Sequence, residues 1–238
     1  NVFASLGCGQ ANLAGEVVVA PSICIIDYGL GNVGSVGNAL RVLDVDYMVT
    51  LDPAALEQAA GLILPGVGAF GDGMARLRQL GLVEVLGELV LRRKKPILGI
   101  CLGMQLMAKT GLEHGCHQGL GWLDATVQRL DVESLGLSLP HVGWNELSIA
   151  REGVLVGSEQ QGSDYYFVHS YRMVLNFPED LVASCTYGQS FTAIVEHENI
   201  FGTQFHPEKS QKNGLRLLRQ FVGFAAKTAT LGLESRLP

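Results

Sequence analysis

Through the first half of the chain, short aliphatic or β-branched runs alternate with longer segments whose apolar residues recur at helical spacing. That is the pattern of βαβ units around a mostly parallel sheet. Ile23 to Asp27, Tyr47 to Thr50, Leu62 to Leu64 and Ile97 to Ile100 predict strands, and Val33 to Leu43 predicts a helix after the first of them. Met74 to Arg93 reads as a helical stretch interrupted by glycines, and Met104 to Lys109 has helix-forming composition. After Gly119 the texture changes. Val127 to Leu130, Glu146 to Ile149, Tyr166 to His169, Leu181 to Tyr187, Thr192 to Glu196 and Ile200 to Phe205 are short strand candidates with close turns. They predict an additional antiparallel or mixed sheet in the C-terminal half. Gly214 to Phe224 places Leu215, Leu218 and Val222 on one face and predicts a last helix packed on the sheet. The fold class is α/β, with one domain expected over 23–224, an irregular leader over 1–22 and a tail over 225–238.

Composition narrows the function classes. Hydrophobic residues make up 47% and charged residues 17% of the 238 residues, which excludes a disordered chain. A net charge of -6 gives no footing for nucleic acid or acidic lipid as the main partner. No apolar run approaches the roughly 18 residues a bilayer span needs, so a soluble, cytoplasmic protein is expected, with a plastid home as the alternative. The basic run Arg92 to Lys95 is expected to close a helix before Pro96. Cys8, Cys24, Cys101, Cys116 and Cys185 are scattered and contain no C-x-x-C pair. They predict neither a disulfide framework nor a metal site, and no cofactor is expected.

One cysteine is placed differently. Cys101 sits in Gly99-Ile100-Cys101-Leu102-Gly103, after an apolar strand and before a helical segment. Such a turn strains the central residue and admits only small neighbours, which pushes a nucleophilic side chain outward. A buried structural thiol in a tight turn would give the same spacing. A thiol nucleophile needs a base and a group to orient it, and Phe205-His206-Pro207-Glu208 supplies both if His206 is extended and Glu208 projects to the same side. Donors for a developing oxyanion are available from the amide of Leu102 and from the loop Gly66-Val67-Gly68. Gly29-Leu30-Gly31-Asn32-Val33-Gly34 matches a dinucleotide-binding loop, but with 30 glycines in the chain about 0.5 such matches arise by chance.

Together the segments Gly99 to Gln105 and His206-Pro207-Glu208 resemble the class I glutamine amidotransferases. A narrower resemblance, to the glutaminase subunits of imidazole glycerol phosphate synthases, is carried by Asp27 to Asn32, Pro65 to Phe70, Pro140 to Asn145, Tyr166 to Tyr171 and Gln204 to Ser210. It covers Ile23 to Phe224. The resemblance implies the fold of that family and a glutamine-hydrolysing triad of Cys101, His206 and Glu208. It further implies an oxyanion site at Gly66, Val67, Gly68 and Leu102, completed after rearrangement of the loop, and substrate contacts from Gln105, Ser170 and Tyr171. The implied partner is a (β/α)8 barrel cyclase subunit, meeting this chain near Asn32, Trp144 and Lys209. Family members often carry a basic residue where this chain has Gly34. A glutaminase of nucleotide or anthranilate synthesis, or a non-catalytic module of the same fold, are the competing readings.

Overall fold

The computed structural model describes residues 22–234 and, ahead of them, two paired dipeptides, β1 (Gln10–Ala11) and β2 (Val17–Val18). The rest of the expected leader, and residues 235–238 of the expected tail, lie outside the described residues. The centre is an eight-stranded sheet in the order β11 (Ser148–Ile149), β14 (Leu181–Tyr187), β15 (Gln189–His197), β16 (Ile200–Thr203), β6 (Ile97–Cys101), β5 (Gly61–Gly66), β3 (Ile23–Ile26) and β4 (Tyr47–Thr50). From β16 to β4 all neighbours are parallel; β15, β14 and β11 extend the sheet antiparallel.

The unbroken apolar runs have a direct cause: β3, β5, β6 and β16 are buried along their whole length. A strand covered on both faces carries no polar alternation. Ile23, Ile25, Ile63, Leu98 and Ile100 face one core, shared with α1 (Val33–Val42) and α6 (Gln211–Glu234). Cys24, Ile26, Leu62, Leu64 and Ile97 face the other, shared with α3 (Phe70–Gln79), α4 (Leu82–Gly87) and α5 (Leu102–Leu106). Asp52 caps the short α2 (Pro53–Gln58), its carboxylate accepting from the Ala54 amide at 3.2 Å. The basic run ends the helical stretch as expected, and Arg92, Arg93 and Lys94 pair with Glu88, Glu57 and Glu198.

The C-terminal half adds a mixed four-stranded sheet, β13 (Tyr171–Leu175), β9 (Leu123–Arg129), β7 (Ala108–Gly111) and β8 (His117–Gln118). It also adds an antiparallel ribbon of β10 (His141–Glu146) and β12 (Asp164–His169). The helix expected over Met104 to Lys109 is shorter: α5 stops at Leu106 and β7 begins at Ala108. Leu106, Met107 and Ala108 are all buried, so their apolar character does not distinguish helix from strand, and pairing with β9 decides it. The last helix, expected over Gly214 to Phe224, runs from Gln211 to Glu234 because Ala225 is still in the core and no breaker follows it directly. Several of these elements end around Cys101, at the carboxyl edge of the parallel strands, where open α/β sheets form their clefts.

Candidate active site

Cys101 ends β6 and precedes α5 with φ 55 and ψ -109, a left-handed conformation strained for any residue with a Cβ. Its glycine neighbours are required sterically. A Cβ on Gly103 would lie 1.8 Å from the Leu64 carbonyl oxygen, and one on Gly99 would lie 2.6 Å from the Met104 nitrogen. The thiol is 6% exposed and lines a cavity of about 460 Å³ with Val67, Gly68, Leu102, Gln105, Ser170, Tyr171 and His206. Of the predicted oxyanion residues Gly66 is not in that lining, but it pairs with Cys101 in the ladder between β5 and β6.

His206 follows the carboxyl end of β16, and its Nδ1 lies 2.8 Å from Glu208 Oε1, with both side chains buried. The contact expected from spacing is present, though its geometry differs from the expectation. Only His206 is extended; Pro207–Lys209 is a single 3-10 turn that brings Glu208 back under the ring. Burial alone would lower the pKa of His206, but the neighbouring Cys101 sulfur and the hydrogen-bonded Glu208 carboxylate outweigh it and raise it to about 9. Nε2, the ring atom left for Cys101, is buried and makes no hydrogen bond of good geometry. The link to the thiol is therefore electrostatic proximity rather than a formed bond.

The loop expected to serve an oxyanion is held by a backbone hydrogen bond. Val67 N donates to Leu30 O at 2.6 Å, so this amide is already engaged. The glycine-rich segment from Gly29 to Gly34 thus has a local structural role, since its Leu30 carbonyl holds the loop after β5. Asn32, one of the residues expected at a partner interface, accepts from the Ser35 amide at 3.3 Å and caps α1. Trp144, 47% exposed, stands edge-on to Tyr166 at 6.0 Å, and Lys209 Nζ lies 5.9 Å over the same ring. These three expected interface residues lie outside the cavity lining.

Several groups at the site carried no role in the sequence reading. Glu113 lines the cavity, and its Oε2 accepts from the Phe70 amide at 2.7 Å, fixing the start of α3 just after the oxyanion loop. Gln204, fully buried, donates to Cys101 Sγ at 3.7 Å and accepts from Gln105 Nε2 at 3.0 Å. His141 and His169 face each other across the β10–β12 ribbon, Nδ1 to Nε2 at 3.1 Å. A glutamine within a strand-end apolar run is the one sequence signal that singles out Gln204; Glu113 offers none.

A model of the family described as glutamine amidotransferase class-I matches residues 24–223. The "Imidazole glycerol phosphate synthase subunit HisH 2" of Pseudomonas aeruginosa is 46% identical over 200 residues, covering 84% of this chain and 98% of that protein. The HisH subunit of Moorella thermoacetica is 46% identical over 199 residues, covering 84% and 93%. Among solved structures, a Thermoplasma acidophilum protein described as a component of GMP synthase gives a TM-score of 0.67 at 24% identity, covering 88% of this chain and 96% of that one. PurLQS from Thermotoga maritima gives 0.66 at 19%, covering 86% and 99%. Those two likenesses carry the fold. The chain belongs to the class I glutamine amidotransferases and, within them, to the HisH subunits of imidazole glycerol phosphate synthases.

Proposed function

We propose that this chain is the glutaminase half of an imidazole glycerol phosphate synthase, and that Cys101 is its nucleophile. The observation that supports this most directly is the strained elbow holding Cys101 beside a buried, carboxylate-bound His206. The thiol proton passes to His206, and the sulfur attacks the side-chain amide carbon of glutamine. A tetrahedral oxyanion forms, held by the Leu102 amide and by the Val67 amide once it leaves Leu30 O; Gly66 and Gly68 give that loop its freedom. His206 then protonates the departing nitrogen, ammonia leaves, and a glutamyl thioester remains on Cys101. His206, now neutral, takes a proton from water, which attacks the thioester carbon; the C–S bond breaks, glutamate leaves, and the proton on His206 returns to the Cys101 sulfur. Glu208 holds the ring in one tautomer throughout.

Gln105 and the Ser170-Tyr171 backbone hold the substrate within the cavity. Glu113, a carboxylate in the same lining, is the group suited to the substrate's α-ammonium. The ammonia passes to a (β/α)8 barrel cyclase subunit, which forms imidazole glycerol phosphate and an aminoimidazole carboxamide ribotide. Asn32, Trp144 and Lys209 lie on the face this partner covers. The engaged Val67 amide supports a site that waits for that partner.

The test is glutamate formation by the chain alone and with a barrel cyclase plus its nucleotide ligand. A large stimulation by both is expected, and Cys101→Ala should abolish it. No stimulation by the cyclase would overturn the assignment to this synthase, and unchanged turnover in Cys101→Ala would overturn the mechanism.

A further inference from the structure

The hydrogen bonds around Cys101 have a direction that can be worked out. Amide flips and imidazole tautomers must be assigned from their neighbours, and one neighbour here has a single possible role: the Tyr171 carbonyl can only accept. Gln105 Nε2 reaches it at 3.1 Å and His169 Nδ1 at 2.8 Å. The first contact fixes the Gln105 amide with its nitrogen toward β13. The second proton on that nitrogen points at Gln204 Oε1, 3.0 Å away, so the Gln204 amide is fixed in turn, oxygen toward Gln105 and nitrogen toward Cys101 Sγ at 3.7 Å. Turning Gln204 over would set two NH2 groups against each other and a carbonyl oxygen against the sulfur.

The other branch is fixed in the same way. His169 must carry its proton on Nδ1, so its Nε2 accepts from His141 Nδ1 at 3.1 Å. Both rings are buried among Phe167, Tyr187 and Phe191, and burial lowers His169 to about 3 and His141 to about 4. They stay neutral while His206 titrates, and the polarity of the network does not change with pH over the working range. One backbone carbonyl therefore sets two histidines and two glutamines, and the far end of one branch is an N–H aimed at the thiol.

We infer that Gln204 is a catalytic residue: its side-chain amide donates to the Cys101 sulfur and stabilises the thiolate, while Gln105, His169 and His141 are positioning residues that keep the amide turned that way. The inference rests on Cys101 being the nucleophile. When the thiol proton moves to His206, the electron pair stays on sulfur and Gln204 N–H supplies the donor that water would otherwise provide. When sulfur bonds to the substrate carbon, the charge moves to the carbonyl oxygen and the Gln204 contact weakens.

The test is the pH dependence of Cys101 alkylation by iodoacetamide in the full chain, with the labelled peptide mapped, so that no turnover of glutamine is needed. Gln204→Met keeps most of the volume and removes the donor. Its midpoint should rise by about one pH unit, a tenfold fall in thiolate at low pH. A more basic thiolate is also more nucleophilic, with a Brønsted slope of about 0.5. The variant should thus react roughly threefold slower than wild type well below the midpoint and roughly threefold faster well above it. That crossover is not produced by loosened packing. Gln204→Glu, which keeps the acceptor for Gln105 and loses the donor once ionised, should shift in the same direction. In the wild-type chain the Gln204 NH2 resonances should titrate with the alkylation midpoint and stop doing so in Cys101→Ser. An unchanged midpoint in either folded variant, or NH2 resonances that ignore the thiol, overturns the inference. A normal alkylation profile in a chain that never hydrolyses glutamine would instead count against the proposed function.

Discussion

Replacing Glu208 by glutamine isolates what the carboxylate does for His206. The shape is kept in a place where the two side chains are 2% and 1% exposed, so packing stays constant and only charge and hydrogen-bond polarity change. His206 stands at about 9 against an ordinary 6.5, since Cys101 and Glu208 together outweigh the lowering by burial. At 1.36 kcal/mol per pH unit, that elevation is worth at most about 3 kcal/mol. A group raised in the folded state stabilises fully below its unfolded value, and the contribution is lost as pH rises through the folded value. The wild-type chain should therefore lose up to about 3 kcal/mol between pH 6.5 and 9, roughly 6–12 °C in melting temperature for a chain of this length. Glu208→Gln should flatten that slope, because burial is then opposed by Cys101 alone. Glutamate release by the complex should also fall roughly ten- to 150-fold at neutral pH, as one charge-assisted hydrogen bond worth about 1.5–3 kcal/mol is lost. Calorimetric melts across pH 6 to 9.5 and kcat/KM at each pH provide the readout. A variant with the wild-type slope and less than about a threefold loss of rate would refute an orienting role for Glu208.

Further outcomes follow from single contacts. Cys101→Ala should lose about 10⁴-fold or more of the glutaminase rate while the chain stays folded, and a residual rate of a few per cent would remove Cys101 from the chemistry. Gly103→Ala brings a Cβ to 1.8 Å from Leu64 O, so a thermal melt should show a loss of at least about 1–3 kcal/mol; a wild-type melt would contradict the close packing of the elbow. In hydrogen exchange the Val67 amide should be protected in the free chain and lose protection when glutamine and the cyclase are present; equal protection in both states would mean the loop does not turn. Trp144→Ala should weaken binding of the cyclase about tenfold or more while leaving the melt of the free chain alone, and equal affinity by calorimetry would move the interface elsewhere.

The parts of this molecule legible in the sequence are those where one local constraint leaves few alternatives. Short apolar runs with no alternation, bounded by turn residues and rich in isoleucine and leucine, read as strands buried on both faces, and β3, β5, β6 and β16 are. Gly99 and Gly103 around Cys101 were readable because the crowding they relieve lies within the turn and its adjoining strand. What escaped depends on distant partners. β7 looked helical because Ala108 is apolar in either state and its partner β9 lies beyond a turn. Gln204 received no role because what it does is set by Gln105 and Tyr171, the former separated from it by 99 residues. Glu113 meets Phe70 across 43 residues, and nothing near either one announces it. Even the His206–Glu208 contact was reached by spacing alone, while the 3-10 turn that makes it depends on Ser210, whose hydroxyl donates to His206 O at 2.6 Å.

The averted Val67 amide also limits how quiet an idle copy of this chain can be. One backbone hydrogen bond contributes about 0.5–1.5 kcal/mol net, so the bond to Leu30 O favours the closed loop by roughly tenfold at most. A cell holding glutamine in excess would drain it through uncoupled copies restrained by that bond alone. Each further tenfold of restraint needs about 1.4 kcal/mol from elsewhere, and the left-handed Gly68, at φ 100, is the nearest place in the loop where rotation can be made unfavourable. The leak rate of the solitary chain, set against its rate in the complex, therefore measures how much of the lock lies outside Leu30.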